Sequence, residues 1–389
     1  MPLKAIEVSY AISEAVKLAD VDVVSAYPIT PQTHIVERLS SIIANGELDA
    51  EFILVESEHS AMSACIGASA VGARTFTSTS SQGLALMSEM LYIASGLRLP
   101  IVMAVANRAL SAPINIWNDH SDIMAQRDCG WIQLFAENGQ ETFDMILQAY
   151  RIGEDKRVHL PVCVNLDGFI LTHVIEPIDI PDESEVRKFL GKKFEPLFRL
   201  HPDNPITMGP VGHPDIYTEV KKSQEETLLG SKKVILEVWN EFEKIFGRRY
   251  TPIKSFLVDD ADVLFLLMGG ISETATLAIE ELRRDGVKAG LLALKLWRPF
   301  PFEELFSAVK NAKVLIVIDR AISFGGPPGP VYSEVRSALY DKNGFLQIHG
   351  FVIGLGGRDV KVENFLEAYE RAKKGEQKPG RAEIIGLRE

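Results

Sequence analysis

The sequence predicts an α/β protein with two units, each a mainly parallel sheet flanked by helices. Continuously apolar runs, such as residues 100–106 and 263–268, alternate with segments of helical periodicity. Runs that are apolar on both faces are typical of parallel strands covered by helices on each side. The order of strand, polar or Gly-rich turn and helix recurs in both halves of the chain. A length of 389 residues accommodates two or three such domains.

The first elements lead into a stiff loop. Residues 5–18 have the apolar spacing of an amphipathic helix, and residues 21–26 form a short apolar run that predicts a strand. The strand stops at YPITP, residues 27–31, where two prolines restrict the backbone. Thr30 is placed to cap a helix that starts at the second proline. Ligands of α/β proteins bind where strands end, although a plain strand–helix connection is the alternative.

An acidic residue begins a helix made of small residues. After the apolar run 52–54, Ser57 can cap the helix, Glu58 lies in its first turn, and residues 61–70 are nearly all small. Small side chains let a backbone or a flat ligand come close. A carboxyl buried there suits acid–base chemistry, because desolvation raises the pKa of a buried carboxyl. The alternative is a glutamate that only stabilises the helix N-terminus.

Two further strands end in polar residues. Residues 75–81 are rich in hydroxyl groups and lead through a turn at Gln82 into a predicted helix at 84–95. The run 100–106 predicts a central strand that ends close to Arg108. An arginine there is a candidate clamp for a carboxylate or phosphate, because its planar fork binds two oxygens; a surface arginine is the alternative.

The loop at residues 111–122 carries apolar residues, which in a long loop usually cover another group. His120 stands between two aspartates, so a metal site and an ordinary hydrogen-bonded histidine are both open interpretations. Strands at 131–135 and 161–166 complete the first unit.

Prolines interrupt residues 176–214, which predicts an extended connection over the surface. The helical stretch that follows has an apolar stripe as far as Phe246, and residues 250–260 have the composition of a linker. The second unit then begins. Its strands are predicted at residues 262–268, 289–294, 314–319 and 351–354.

Two Gly-rich segments and a tail belong to the second unit. Glycines 269–270 before a helix are a weak phosphate signal, because they match neither GxGxxG nor a P-loop. The Gly/Pro segment 323–330 is either a plain loop or an interface loop. The Lys/Gly-rich tail after Lys373 is predicted to be mobile or bound to a partner.

Composition excludes several kinds of partner. A formal net charge of −12 argues against nucleic acid and anionic membrane, and no apolar run is long enough to span a bilayer. Cys65, Cys129 and Cys163 are far apart, which argues against an iron–sulfur cluster or zinc site on this chain alone. It also argues against a secreted disulfide scaffold, and the sequence begins without a signal-peptide pattern, so the expected location is the cytoplasm.

Seven motifs stand together in one order. They are YPITP (27–31), ESEHSA (56–61), TSSQG (79–83), NRA (107–109), NDHSD (118–122), WRPFP (297–301) and GLGGRD (354–359). In these motifs the chain resembles the alpha subunit of multi-subunit 2-oxoacid:ferredoxin oxidoreductases of the pyruvate synthase type. The resemblance covers essentially the whole chain.

The resemblance implies a pyrimidine-binding thiamine diphosphate domain at residues 1–250 and a smaller transketolase C-terminal-like domain at 251–389. It implies oxidative decarboxylation of pyruvate to acetyl-CoA and carbon dioxide, or the reverse. The same chemistry on a branched 2-oxoacid such as 2-oxoisovalerate, or on 2-oxoglutarate, is the alternative. A non-catalytic assembly scaffold is an alternative of another class.

The resemblance also implies shared cofactors and partners. Thiamine diphosphate lies between this subunit and a beta subunit that holds the diphosphate and its Mg²⁺. Gamma and delta subunits complete the complex, its [4Fe-4S] clusters lie outside this chain, and the electrons pass through other subunits to ferredoxin. Coenzyme A is the acyl acceptor. The sequence agrees, since it lacks a diphosphate–metal GDG…N segment and clustered cysteines.

Site residues follow from the matched motifs. Glu58 is the implied catalytic residue, which hydrogen-bonds the aminopyrimidine ring of the cofactor, and Thr30 and Arg108 contact the 2-oxoacid. From their position after Arg108, Ile114 and Asn115 are hypothesised to shape the substrate pocket. The remaining cofactor-binding candidates are Tyr27, Pro28, Ile29 and Gln82.

Overall fold

The structure is a computed structural model that describes residues 3–341, 346–375 and 381–388. The strands are β1 (Leu3–Glu7), β2 (Val23–Ser25), β3 (Glu51–Ile53), β4 (Thr75–Thr79), β5 (Val102–Asn107), β6 (Ile132–Phe135), β7 (Val162–Asp167), β8 (Ile175–Asp179), β9 (Ile253–Phe256), β10 (Val263–Leu267), β11 (Ala289–Leu294), β12 (Leu296–Arg298), β13 (Val314–Asp319), β14 (Gln347–Val352) and β15 (Glu383–Ile384). The helices are α1 (Val8–Leu18), α2 (Thr33–Ala44), α3 (Glu58–Ala70), α4 (Ser81–Leu86), α5 (Ser88–Gly96), α6 (Ser121–Met124), α7 (Gly139–Gly153), α8 (Glu183–Leu190), α9 (Pro214–Phe246), α10 (Ile271–Arg284), α11 (Phe302–Val309), α12 (Pro330–Leu339) and α13 (Val362–Lys374).

The first sheet has seven strands in the order β12-β6-β7-β5-β4-β2-β3. All neighbours are parallel except β12, which runs antiparallel along β6. From β2 the chain crosses to β3 on one side and then to β4 on the other. The switch in direction between β2 and β4 opens a crevice at the carboxyl ends of the strands, where sheets of this kind bind ligands.

The second sheet has the order β15-β14-β13-β10-β11-β9, with only β9 antiparallel to its neighbour. The predicted α/β class with two sheet units is therefore confirmed. One strand of the second half, β12, leaves its own sheet and extends the first one. The two units consequently share a strand pairing as well as side-chain contacts.

The long helix α9 buries side chains against the first unit only in its C-terminal half. Its buried face is the predicted apolar stripe, whereas residues 214–223 are all exposed. Gly247 ends the helix in the left-handed region, with φ of +74°. Arg248 then donates to the buried Asp144 carboxylate over 2.6 Å, which fixes the chain's exit toward the second unit. Within the described ranges, no helix combines the length and apolarity needed to cross a bilayer.

Two local predictions were wrong because distant pairing decides the structure. Residues 176–214 are not continuously extended, since they include most of β8 and all of α8. The strand β8 pairs antiparallel with β1, and α8 buries Val186, Phe189 and Leu190, so contacts far along the chain stabilise both. The predicted linker 250–260 contains β9, an edge strand on β11.

Smaller corrections concern element ends. The first helix starts at Val8, after β1, and not at residue 5. The predicted helix 84–95 is divided at Met87 into α4 and α5. The predicted tail lies partly outside the described residues, and its described end forms β15.

A buried ionic cluster joins the carboxyl ends of the two sheets. Asp167, at the end of β7, accepts from Arg320 Nη1 over 2.6 Å and lies 3.1 Å from His120 Nε2. The same carboxylate accepts the backbone N–H of Gly270 over 3.1 Å. Burial alone would raise the pKa of Asp167, but Arg320 and His120 hold that pKa at about 2.

We expect Asp167→Asn to destabilise the chain by about 3–5 kcal/mol at pH 7, because Arg320 is left buried and unpaired. The folded pKa of Asp167 is depressed to about 2, so its contribution is present above the unfolded pKa and lost as pH falls through 2. Thermal unfolding of wild type and variant between pH 7 and pH 2 measures this. The two melting temperatures converge below about pH 4; a constant difference would contradict the assignment.

Candidate functional site

The crevice between β2 and β4 is bordered by the loop that follows β2. Gln32 is fully buried, and its side-chain amide donates to Tyr27 O over 2.7 Å and to Ser78 O over 3.3 Å. These bonds tie the loop to β4. The prediction that Thr30 caps the next helix was wrong: α2 begins at Thr33, and Gln32 occupies the N-cap position without a side-chain capping bond. Thr30 lies before the helix and is exposed at the crevice.

Glu58 lies at the first position of α3, as predicted. The Ser57 hydroxyl accepts from Ser60 N over 3.2 Å and caps the helix. Glu58 is 6% exposed, yet its carboxyl has no hydrogen-bond or ion-pair partner among the residues that the structure describes. A largely buried carboxyl gains from a hydrogen-bond partner, since desolvation of an unpaired polar group is costly. The geometry fits a carboxyl that meets a group from outside this chain.

Gly83 provides the space beside Glu58. A Cβ on Gly83 would lie 2.5 Å from Glu58 Oε1 and 2.6 Å from Thr79 Oγ1, so a larger residue would displace these side chains. Buried hydroxyls without partners cluster on the same strand end, among them those of Ser78, Thr79 and Ser80. A glycine-lined cradle with polar groups in need of partners fits a flat, nitrogen-bearing ring.

We expect Gly83→Ala to lower activity at least about tenfold, because the added methyl group displaces the Glu58 carboxyl. Gly67→Ala is the matched control: Gly67 lies in the neighbouring helix α3 with nothing within 4 Å of an added Cβ. The control is expected to be fully active and stabilised by up to about 1 kcal/mol from helix propensity. Activity in the complex that the sequence resemblance implies and the melting temperature are measured for both variants. Equal activity of the two variants would contradict the close packing.

Arg108 follows β5 and is 6% exposed. Its Nε donates to Asn115 O over 2.7 Å and its Nη1 to Thr30 O over 2.9 Å. The structure thus brings the two predicted substrate residues together. Nη2 donates to no group in the described part of the chain, so the guanidinium keeps a free donor. Burial lowers the pKa of Arg108, while Asp122 opposes that shift.

The second unit fixes the loop that follows Arg108. Asn115 Nδ2 donates to Gly356 O over 3.0 Å, and Asn115 Oδ1 accepts from Trp117 N over 2.7 Å. Gly357 packs on Trp117 so closely that no Cβ would fit. Asn115 therefore presents its backbone carbonyl to Arg108 and its side chain to the second unit. Ile114 is 81% exposed.

At the possible metal site and the possible phosphate site, the protein groups that would bind a ligand are bonded to other residues of this chain. His120 contacts Asp167, Asp119 accepts from Gly356 N, and Asp122 accepts backbone amides elsewhere, so the three side chains do not converge. In the described part of the chain, no three His, Cys, Asp or Glu side chains could hold one metal ion. The N–H of Gly270, where a phosphate was considered, is bound by Asp167.

The candidate cofactor residues lie along the crevice. Tyr27 is 37% exposed, Pro28 is exposed and Ile29 is half-buried. Gln82 is half-buried, and its side-chain oxygen lies 2.6 Å from Ser81 Oγ.

Three residues that organise this crevice were not predicted from the sequence: Gln32, Ser81 and Asp122. Ser81 takes φ of +47°, and Asp122 is buried below the loops. The sequence shows Asp122 as an aspartate close to His120, and that pattern suggested a possible metal ligand and not a structural role.

Solved structures define the class. The chain aligns with 2-oxoglutarate:ferredoxin oxidoreductase from Magnetococcus marinus at a TM-score of 0.72 and 20% identity, covering 96% of this chain and 65% of that one. It aligns with a split-gene transketolase, described as an inactive beta4 tetramer, at a TM-score of 0.55 and 13% identity, covering 95% and 99%. The fold and the crevice at its switch point thus define a transketolase-like α/β protein.

Sequence relatives define the family. A family profile described as pyruvate flavodoxin/ferredoxin oxidoreductase, thiamine diphosphate-binding, matches residues 14–240, and one described as pyruvate:ferredoxin oxidoreductase core domain II matches residues 261–365. Pyruvate synthase subunit PorA of Methanocaldococcus jannaschii is 53% identical over 96% of both chains. The Pyrococcus furiosus protein of that name is 49% identical over 100% of this chain and 99% of its own. This chain belongs to the pyruvate:ferredoxin oxidoreductase family.

Proposed function

We propose that this chain is the alpha subunit of a thiamine diphosphate-dependent pyruvate:ferredoxin oxidoreductase. Pyruvate and coenzyme A give acetyl-CoA, carbon dioxide and a proton, and two electrons pass one at a time to two oxidised ferredoxins. The reverse direction uses the same site. The chain is active only within its complex.

The observation that carries this proposal is that two largely buried charged groups at one crevice each keep atoms free to bind a ligand. Glu58 is a buried carboxyl without a partner among the described residues, and Arg108 is a buried guanidinium with a free Nη2. The first suits a nitrogen heterocycle that must be held in a protonated form. The second suits a carboxylate, which the planar fork of arginine recognises by charge and geometry.

Each residue has one task in this proposal. When bound, thiamine diphosphate supplies the carbanion chemistry that breaks the bond between the keto carbon and the carboxylate. Glu58 hydrogen-bonds the aminopyrimidine ring nitrogen and holds a proton there. Arg108 orients the substrate carboxylate, and the Thr30 hydroxyl donates a hydrogen bond to it. Tyr27, Pro28, Ile29 and Gln82 border the cofactor ring, and Ile114 and Asn115 border the substrate side chain.

Partner subunits complete the site. Several apolar side chains near the crevice are exposed to solvent. Leu54, Ile114 and Trp117 are 84%, 81% and 52% exposed. This supports coverage by a beta subunit that carries the diphosphate and Mg²⁺. The three cysteines of this chain are buried, unpaired and scattered, which supports placing the [4Fe-4S] clusters outside it. Gamma and delta subunits and a cytoplasmic location complete the proposal.

We further assign residues 1–250 to the pyrimidine-binding domain and 251–389 to the transketolase C-terminal-like domain. The separate second sheet, which begins at β9, supports this division. The pairing of β12 with β6 links the two proposed domains.

Pyruvate is the proposed substrate because relatives at 47–53% identity over nearly their full length are named pyruvate synthase subunits. A branched 2-oxoacid is the second candidate, favoured by the ketoisovalerate oxidoreductase subunit VorA of Pyrococcus abyssi at 44% identity. An apolar pocket separates substrates that differ by one methylene by only about 1–3 kcal/mol.

The tagged chain, purified with its partners from its own host, tests the proposal. Viologen reduction that requires coenzyme A is measured with pyruvate, 2-oxoisovalerate and 2-oxoglutarate. We expect thiamine in the complex and the highest kcat/KM with pyruvate. A higher value with 2-oxoisovalerate would select the branched-chain alternative. A single chain without thiamine or activity would favour the assembly scaffold, and turnover by the isolated chain would refute the shared site.

A further inference from the structure

The buried carboxylate of Asp122 connects the two halves of the crevice. Its Oδ2 accepts the backbone N–H of Ser81 over 3.0 Å and the backbone N–H of Arg108 over 2.9 Å. Its Oδ1 accepts from Asn107 Nδ2 over 3.1 Å and from Ile123 N over 2.8 Å. Asp122 is 1% exposed, so all four bonds are shielded from water. One oxygen atom thus joins the turn after β4 to the end of β5.

Ser81 connects Asp122 to the side of the crevice where the cofactor is proposed to bind. Its φ of +47° lies in the left-handed region, where side chains other than glycine are strained and need local support. Besides donating its N–H to Asp122, Ser81 lies with its Oγ 2.6 Å from Ala109 O, immediately after Arg108. Two residues further on, Gly83 contacts Glu58. A continuous set of contacts therefore runs from Glu58 through this turn to Arg108.

We propose that Asp122 is a positioning residue that fixes the distance between Glu58 and Arg108, and with it the distance between cofactor and 2-oxoacid. The inference rests on the proposed function of the crevice. Asp122 acts through the backbone of its neighbours and touches neither ligand. A shift of about 1 Å between reacting groups costs roughly a hundredfold in rate, so a rigid link at this point matters for catalysis.

Only a carboxylate fits the four donors. An asparagine offers one accepting oxygen and one amide nitrogen, and that nitrogen would face N–H groups on one side of the site. In one orientation the bonds to Ser81 and Arg108 are lost together, and in the other those to Asn107 and Ile123 are lost. Asp122→Asn therefore changes the link while keeping size and shape.

The second unit offers a matched control in Asp319. This aspartate is also buried and accepts backbone amides, from Val331 over 2.8 Å and Tyr332 over 2.9 Å; within the described ranges it bonds to neither Ser81 nor Arg108. Burial raises the pKa of both aspartates to about 7. Asp319→Asn thus measures the loss of stability that such a substitution causes by itself.

The test compares the two variants in the assembled complex. For Asp122→Asn we expect KM for pyruvate and the thiamine diphosphate concentration for half-maximal activity to rise together, each about tenfold. For Asp319→Asn we expect a lower melting temperature with both constants unchanged. Equal kinetic constants in the two variants would overturn the inference.

A milder variant covers the case in which Asp122→Asn does not assemble. Asn107→Ala removes the side-chain donor to Asp122 Oδ1 but keeps the three backbone N–H donors, and we expect the same two constants to rise about threefold. Unchanged constants in Asn107→Ala would equally overturn the inference. The wild-type complex distinguishes failure of the proposed function from failure of the inference about Asp122. If the wild type turns over no 2-oxoacid, the proposed function is wrong. If the wild type is active and the variants have unchanged constants, only the inference is wrong.

Discussion

Replacing Glu58 by glutamine is expected to lower kcat of the assembled enzyme about a thousandfold, within the usual range for loss of an acid–base group. The substitution keeps the size of the side chain beside Gly83, so the space next to Gly83 stays the same. A glutamine amide cannot hold and release the proton at the cofactor ring nitrogen as a carboxyl does. We therefore expect thiamine content to stay near that of the wild type while turnover is lost.

Glu56→Gln is the matched control for this experiment. Glu56 is two residues earlier, is exposed, and accepts from Ser60 Oγ over 2.7 Å. The control changes the same net charge at the same helix N-terminus and is expected to retain full activity. Coenzyme A-dependent viologen reduction, thiamine content and the rate of deuterium exchange at the thiazolium carbon are measured for both variants. Wild-type exchange and turnover in Glu58→Gln would refute the assigned role.

The contrast between these two glutamates shows why the sequence alone leaves the role open. Both are acidic residues at the start of α3, and either could serve the helix dipole. Only the structure shows that one is buried against Gly83 and the other faces solvent. The periodicity of the chain predicted the strand ends well, and the switch point then brings Thr30, Glu58 and Arg108 to one edge.

The parts that the sequence could not predict depend on contacts between distant residues. The strands β8 and β12 are short and gain their partners from β1 and β6, more than a hundred residues away. Their local composition gives no strand signal strong enough to outweigh the nearby prolines, which argue against a strand. Asp122 illustrates the same limit for the site, because its four donors come from three separate segments. Chemistry that depends on such long-range assembly leaves no regular spacing in the sequence.

The second large effect is expected at the substrate carboxylate. Arg108→Lys is expected to lower kcat/KM for pyruvate about a hundredfold, mostly through KM. Arg108 uses Nε for Asn115 O and Nη1 for Thr30 O, so a third nitrogen remains for the substrate. A lysine has one nitrogen on a flexible stem, which cannot satisfy both carbonyls and the carboxylate at once. Loss of a charged hydrogen bond of about 1.5–3 kcal/mol corresponds to roughly ten- to hundredfold.

Arg98→Lys provides the control, because Arg98 is an arginine of the same kind at another place. Its Nε and Nη2 donate to His159 O and Val158 O over 3.1 and 2.5 Å, and burial lowers its pKa as it does that of Arg108. The loss of guanidinium bonds to carbonyls is therefore common to both variants, and only Arg108 has a free donor at the crevice. We expect Arg98→Lys to reduce stability and leave KM unchanged. If both variants raise KM equally, the effect is structural and Arg108 does not bind the substrate.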